Sequence, residues 1–124
     1  MPSLCKDERL CSKKSISKLL IEGNKYFMPP FSVKWIEMPE NQKHPLQLLV
    51  IVPKRFFKKA VDRNRLKRLI RETFRIHKEI LSNPLKDKNK KLAIMLLYNS
   101  SEMKSFAEVE TKVSLILQFL ARNI

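Results

Sequence analysis

Residues 54–78, KRFFKKAVDRNRLKRLIRETFRIHK, constrain the fold more than any other part of the chain. They include eleven Lys or Arg and two acidic residues, Asp62 and Glu72, and so carry a net charge of +9 out of the formal +14. So concentrated an excess repels itself unless a polyanion neutralises it, and the usual polyanion is nucleic acid. The stretch must therefore fold with its cations exposed, and it indicates a nucleic-acid partner.

The same stretch predicts an amphipathic helix over residues 64–82, ended by Asn83-Pro84 because the residue before a proline disfavours helical backbone. At 100° per residue, eight side chains share an arc of about 140° that forms the core face: Leu66, Leu69, Ile70, Thr73, Phe74, His77, Ile80 and Leu81. The neighbouring arc is basic: Lys67, Arg68, Arg71, Arg75 and Lys78. A merely solvated face usually interleaves Glu with Lys, and here only Glu72 and Glu79 do so, which favours a binding surface.

The other elements follow from hydrophobic period and turn residues. A helix is predicted over 12–21, with Ile16, Leu19 and Leu20 inward and Gly23 as a left-handed C-cap. Alternation predicts a strand over 31–36, and the apolar run 46–52 predicts a central strand. A polar turn over 38–45 joins these two strands, which are expected to form an antiparallel hairpin. An additional short strand over 25–28 is left open. A strand over 92–98 follows a polar loop, and the capping-box residues Ser105 and Glu108 open a last helix. That helix is predicted to bury Phe106, Val109, Val113, Ile116, Leu117 and Leu120.

The order is α-β-β(-β)-α-β-α. It predicts one α+β domain over residues 1–124, an α-β sandwich with a mixed sheet of about four strands and three helices. Since a helix links strands 46–52 and 92–98, these two could lie parallel in the sheet.

Several functional classes are disfavoured by what the chain lacks. The single glycine, Gly23, excludes phosphate-binding P-loops, dinucleotide fingerprints and glycine-bearing RNA-binding signatures. The sequence has no apolar run long enough to span a membrane and no secretory signal, so we expect a cytoplasmic protein. Cys5 and Cys11 have no metal-ligand spacing and are expected to be reduced thiols. No two carboxylates have a spacing that a helix or strand would bring together into one site for general acid–base catalysis or metal binding. We therefore expect no catalytic residue and no metal site formed by protein ligands.

The segment KKAVDRNRLKRLIRETFR closely resembles the signature of the protein subunit of bacterial ribonuclease P. The matching positions are Lys59-Ala60-Val61, Arg63-Asn64-Arg65, Lys67-Arg68, Arg71-Glu72 and Phe74-Arg75. The resemblance implies a small α/β sandwich with an unusual left-handed crossover. It also implies a protein that binds a catalytic RNA and helps it remove the 5′ leader from precursor tRNA. We expect the free protein to be monomeric. Mg²⁺ held mainly by the RNA would then do the chemistry.

The resemblance implies contacts to the catalytic RNA from seven residues: Arg63, Asn64, Arg65, Lys67, Arg68, Arg71 and Arg75. Guanidinium forks can grip phosphate oxygens in pairs, and ammonium groups act as point charges. Two roles stay open for Asn64, capping the helix or bonding RNA directly.

The resemblance also implies a cleft for the single-stranded leader, between the first helix and the sheet. Its candidate residues are Ile16, Leu20, Phe31, Trp35, Lys54, Arg55 and Phe56. Relatives commonly place aromatic rings at the positions of Ile16 and Leu20, so base contact here could shift to Phe31 or Trp35, although both rings could equally pack in the core. Phe56 is expected to be more exposed than Phe57.

A structural rRNA-binding protein is the alternative function, and a self-sufficient nuclease is a more distant one.

Overall fold

A computed structural model describes residues 13–38 and 46–123. Cys5, Cys11, the first residue of the predicted first helix and most of the predicted turn after Met38 lie outside these ranges. Eight elements follow one another within the described part: α1 Lys13–Glu22, β1 Asn24–Met28, β2 Phe31–Met38, β3 Leu46–Ile51, α2 Ala60–His77, α3 Glu79–Asp87, β4 Lys91–Tyr98 and α4 Phe106–Arg122. Among the described residues, no helix is long and apolar enough to cross a membrane.

The four strands form one mixed sheet in the order β1-β2-β4-β3. The pairs β1–β2 and β2–β4 are antiparallel, while β3 and β4 are parallel. The structure thus confirms the α+β class, the parallel pair, and β1 as the additional strand. The predicted hairpin of β2 with β3 is wrong, because β4 lies between them. The left hand of the β3-to-β4 crossover stays a prediction from the resemblance.

Helices cover the two faces of the sheet unequally. Alternate side chains of β2, β3 and β4 form the main core with buried residues of α2, α3 and α4. On the opposite face, α1 buries Leu19 against Met38, Ala93 and Met95. Because this ten-residue helix is the only described helix packed there, part of the second face stays open as a groove.

The single predicted central helix is in fact two helices. α2 ends at His77, and after Lys78 the chain continues as α3, which contains Pro84 inside it. The prediction that Asn83-Pro84 ends a helix is therefore wrong. Proline costs the short α3 one backbone hydrogen bond, but α3 buries Leu81 and Leu85 in the main core, and this burial offsets the loss.

Gly23 follows α1 directly, but its φ is not positive, so the predicted left-handed C-cap is wrong. Its N–H donates to the carbonyl oxygen of Leu19 at 2.9 Å. A Cβ at position 23 would collide with that same oxygen. Glycine is therefore needed here for space rather than for backbone conformation.

Three predicted core positions are more exposed than expected. Leu20 and Phe106 are exposed, and half-buried His77 lies with its Nε2 3.3 Å from Oε2 of Glu110 on α4. The capping box of α4 is confirmed, since Glu108 donates its N–H to Ser105 Oγ at 3.3 Å.

Candidate nucleic-acid interface

One face of α2 anchors the helix, and this fixes where its cations lie. Leu66, Ile70, Thr73 and Phe74 are buried, and the hydroxyl of Thr73 is satisfied by donating to the carbonyl oxygen of Ile70 at 2.8 Å. The i, i+4 spacing of these residues places the basic side chains on the remaining arc. The predicted core face is therefore confirmed in its central part.

Asn64, Arg65 and Arg68 are exposed on the first three turns of α2, and we call them the α2 basic surface. Since α2 begins at Ala60, four residues earlier than predicted, Asn64 lies within the helix and cannot cap its start. Lys59 occupies the cap position without a side-chain cap hydrogen bond. An uncapped helix start leaves backbone N–H groups directed at the region next to this surface.

Arg63 has a different place from its neighbours. Its Nη1 donates to the carbonyl oxygens of Phe57, at 2.8 Å, and Lys58, at 2.9 Å. These bonds fasten the loop that follows β3 to the first turn of α2. Arg63 therefore positions the exposed Lys58 and Lys59 beside the α2 basic surface, in addition to any contact that its other nitrogens make.

Arg75, at the far end of α2, is paired within the protein. Its guanidinium donates to both carboxylate oxygens of Glu72, at 2.7 and 3.2 Å. This hydrogen-bonded pair lowers the pKa of Glu72 and raises the pKa of Arg75. Lys67 and Arg71 are partly buried. The structure thus divides the seven predicted RNA contacts into two groups. Three are exposed near the helix start, and the other four are partly buried: Arg63, Lys67, Arg71 and Arg75. Of these four, Arg63 and Arg75 donate the hydrogen bonds inside the protein that are given above.

The loop between β3 and α2 carries Lys54 and Arg55, both exposed. Phe57 is buried against Tyr98, with 6.0 Å between ring centroids, whereas Phe56 is partly buried. The guanidinium carbon of Arg55 lies 4.8 Å from the centroid of the Phe56 ring. The predicted order of exposure of the two rings is confirmed, and Arg55 covers part of Phe56 as a cation–π contact.

A groove of about 640 Å³ lies between α1 and the sheet. Of the predicted cleft residues, Leu20 lines this groove. Ile16 packs nearby against the small cluster that Leu19 forms with Met38, Ala93 and Met95. Lys54, Arg55 and Phe56 are not among its lining residues. Its apolar floor comes from Ile51, Met95 and Leu97.

Phe31 and Trp35 belong to the opposite face of the sheet. Phe31 is 0% exposed in the main core, and its ring meets the edge of Tyr98 with 5.5 Å between centroids. Trp35 is partly buried against the ring of Phe119 on α4. Of the two roles that the sequence left open, core packing holds for Phe31 and Trp35, and placing them in the cleft was wrong.

Sequence reasoning missed nine of the ten described lining residues of the groove, among them Lys25, Phe27 and Lys34. Lys25 and Phe27 are on β1, the strand whose existence the sequence left open. Once residues 24–28 are treated as a strand, the period of two places Lys25 and Phe27 on one face. That alternation was the signal available in the sequence.

Within residues 13–38 and 46–123, no group of three His, Cys, Asp or Glu side chains could hold a metal ion. The arrangement as a whole defines a class: a small basic α+β protein with a cationic helix face and a second cationic groove.

Comparison with known proteins identifies the family within this class. A family model described as Ribonuclease P matches residues 4–120. The ribonuclease P protein component of Porphyromonas gingivalis is 32% identical over 121 residues, which are 98% of this chain and 88% of that relative. That of Vibrio cholerae is 36% identical over 75 residues, 60% of this chain and 61% of that relative.

Solved structures agree with the fold. The RNase P protein from Thermotoga maritima superposes with a TM-score of 0.72 at 26% identity, over 90% of this chain and 96% of that chain. The RNase P protein of Staphylococcus aureus, at 19% identity, has the same fold, with a TM-score of 0.69 over 91% and 94% of the two chains. The chain therefore belongs to the ribonuclease P protein family, and an RNA partner is implied.

Proposed function

We propose that this protein is the RNA-binding subunit of ribonuclease P and assists a catalytic RNA in removing the 5′ leader from precursor tRNA. The observation that carries the proposal is the α2 basic surface: Asn64, Arg65 and Arg68 are exposed on a helix whose other face is fixed in the core. Membership of the ribonuclease P protein family supports a catalytic RNA as the partner. The free protein is taken to be monomeric and cytoplasmic.

The proposed mechanism is electrostatic. Arg65 and Arg68 can each grip phosphate oxygens with two parallel hydrogen bonds, and Asn64 offers a neutral donor and acceptor between them. The uncapped start of α2 adds backbone N–H groups and the positive end of the helix dipole. The hydrogen bonds of Arg63 hold the loop that carries Lys58 and Lys59 next to the α2 basic surface, and these two lysines extend the same positive field.

Neutralising phosphates at this surface lets two RNA molecules approach each other. It also favours occupancy of Mg²⁺ sites that the RNA provides, and those ions supply the hydrolytic chemistry. In this proposal the protein contributes no general acid or base. The groove between α1 and the sheet lies on the face of the sheet opposite the main core. We propose that this groove receives the leader.

Reconstitution tests this function. Precursor tRNA is incubated at low Mg²⁺ with the catalytic RNA alone, with the protein alone and with both. We expect rapid cleavage only in the mixture, since the protein supplies positive charge that the low Mg²⁺ concentration does not. Cleavage by the protein alone would instead favour a self-sufficient nuclease. If the protein changes nothing, the structural rRNA-binding alternative is favoured.

A further inference from the structure

The loop between β3 and α2, residues 52–59, is fixed by contacts along its length. Near its start, the N–H groups of Phe56 and Phe57 both donate to the carbonyl oxygen of Pro53, at 3.3 and 3.4 Å. In its middle, the Phe57 side chain is buried in the main core. Near its end, Arg63 donates to two carbonyl oxygens of the loop. The fold therefore fixes the backbone of this loop, although the loop lies at the surface.

Arg55 uses only one side of its guanidinium inside the protein. The guanidinium carbon lies over the ring of Phe56, 4.8 Å from the ring centroid, in a cation–π contact. Phe56 is partly buried and packs against the main core, so the protein backs this ring. Arg55 is exposed and makes no hydrogen bond or ion pair with any other residue that the structure describes. The outer side of its guanidinium and its N–H donors are therefore available to a ligand.

A guanidinium backed by an aromatic ring is suited to bind a nucleobase. The guanidinium is flat, always charged and weakly hydrated, so it stacks well on a second aromatic system. Unpaired bases of RNA are such systems, and they stack on Arg guanidinium planes as well as on aromatic rings. Lys54 is the exposed neighbour of Arg55 and can neutralise the phosphate next to that base. Because the Phe56 ring already orients Arg55, less side-chain entropy is lost on binding.

The position of the loop indicates which RNA supplies the base. Phe56 is four residues before Ala60, the first residue of α2, so their Cα atoms are at most about 14 Å apart. The exposed Lys58 and Lys59 lie between them, and the α2 basic surface begins one turn further on. Neither Arg55 nor Phe56 lines the groove between α1 and the sheet. These two side chains therefore extend the surface assigned to the catalytic RNA and are separate from the groove.

We propose that Arg55 and Phe56 form a stacking platform for one unpaired base of the catalytic RNA. The base lies on the outer side of the Arg55 guanidinium, the Phe56 ring lies on its inner side, and Lys54 binds the adjoining phosphate. The platform requires an unpaired base, whereas phosphate contacts from α2 do not distinguish paired from unpaired RNA. This inference rests on the proposed function for the identity of the RNA, and on the geometry of the loop for the stack itself.

The test removes the flat guanidinium and keeps its charge. Filter binding over a salt series measures the affinity of each protein for the catalytic RNA in the absence of precursor tRNA. We expect Arg55→Lys to weaken binding on the order of tenfold at every salt concentration, the size of one stacked base. The slope of log affinity against log salt should not change, because the variant neutralises as many phosphates. Arg122→Lys, the same exchange at an exposed position at the end of α4, should bind like the wild type.

Phe56→Leu tests the ring behind the guanidinium. It should also weaken binding, and the double variant with Arg55→Lys should lose little more affinity than Arg55→Lys alone, because both changes remove the same stack. Additive losses would contradict the stack. Since Phe56 is partly buried, circular dichroism checks that Phe56→Leu is folded. If it is not, Arg55→Lys decides the question alone, because it changes an exposed side chain.

Wild-type affinity of Arg55→Lys for the catalytic RNA would overturn the platform. A second measurement identifies the source of the base: holoenzyme is assembled at saturating protein, and its dissociation constant for precursor tRNA is measured. We expect no change with Arg55→Lys, and a loss equal to or greater than that for the catalytic RNA would assign the base to precursor tRNA and overturn the proposal. If the wild-type protein binds the catalytic RNA without stimulating cleavage, the proposed function fails, and the filter-binding comparison still decides the platform.

Discussion

Replacing both Arg65 and Arg68 with Ala is expected to weaken binding of the catalytic RNA by on the order of 3 to 6 kcal/mol. Each charge-assisted hydrogen-bonded contact contributes about 1.5 to 3 kcal/mol, and both side chains are exposed on the proposed RNA-binding face. The slope of log affinity against log salt should also become shallower by about 1.8, because the variant would neutralise two fewer phosphates. Filter binding over a salt series measures both quantities.

A matched control removes two positive charges elsewhere. Lys86→Ala with Arg122→Ala also deletes two exposed cations, one on α3 and one at the end of α4. If this control weakened binding as much as the Arg65 and Arg68 variant, net charge alone would govern affinity, and binding would not be localised to the α2 basic surface. We also expect Arg75→Ala to lose less affinity than Arg68→Ala, because Glu72 already binds the Arg75 guanidinium.

Replacing Phe74 with Ala is expected to lower the free energy of unfolding by about 3 to 5 kcal/mol. Phe74 is 2% exposed in the main core, and truncation there would leave a cavity among close-packed side chains. Urea denaturation followed by circular dichroism measures the loss. Because this residue fixes the inward face of α2, the variant should lose RNA binding only where the fold itself is lost.

Ile76 provides the control for Phe74 on the same helix. It is 44% exposed, so Ile76→Ala should change the free energy of unfolding by about 0.5 kcal/mol or less. Comparable losses in the two variants would mean that the buried face of α2 has been assigned to the wrong side chains.

The sequence determined the main features of the fold because its hydrophobic periods are strong. The i, i+4 spacing of Leu66, Ile70 and Phe74 identifies the buried face of α2, and the structure buries all three. The capping box at Ser105 is also a local signal. Tertiary packing decided the features that were missed, since burial of Leu81 and Leu85 holds α3 helical through Pro84.

The candidate sites were less predictable because exposure depends on partners far away in the sequence. The alternation of Phe31, Val33 and Trp35 shows that they share a face but not which helices cover it. In the structure α4 supplies Phe119 beside Trp35, while α1 lies on the other face. Similarly, the sequence gives no sign that Arg63 bonds the carbonyl oxygens of Phe57 and Lys58, because that contact depends on the path of the loop.

The central claim is that the catalytic RNA lies against the α2 basic surface, and site-directed crosslinking tests this most directly. With Cys5 and Cys11 replaced by Ser, a single cysteine carrying a photoreactive group is placed at Asn64 or, as a control, at Lys86; both side chains are exposed. We expect efficient crosslinking to the catalytic RNA from position 64 and little from position 86. Equal yields from the two positions, or a higher yield from position 86, would contradict the claim.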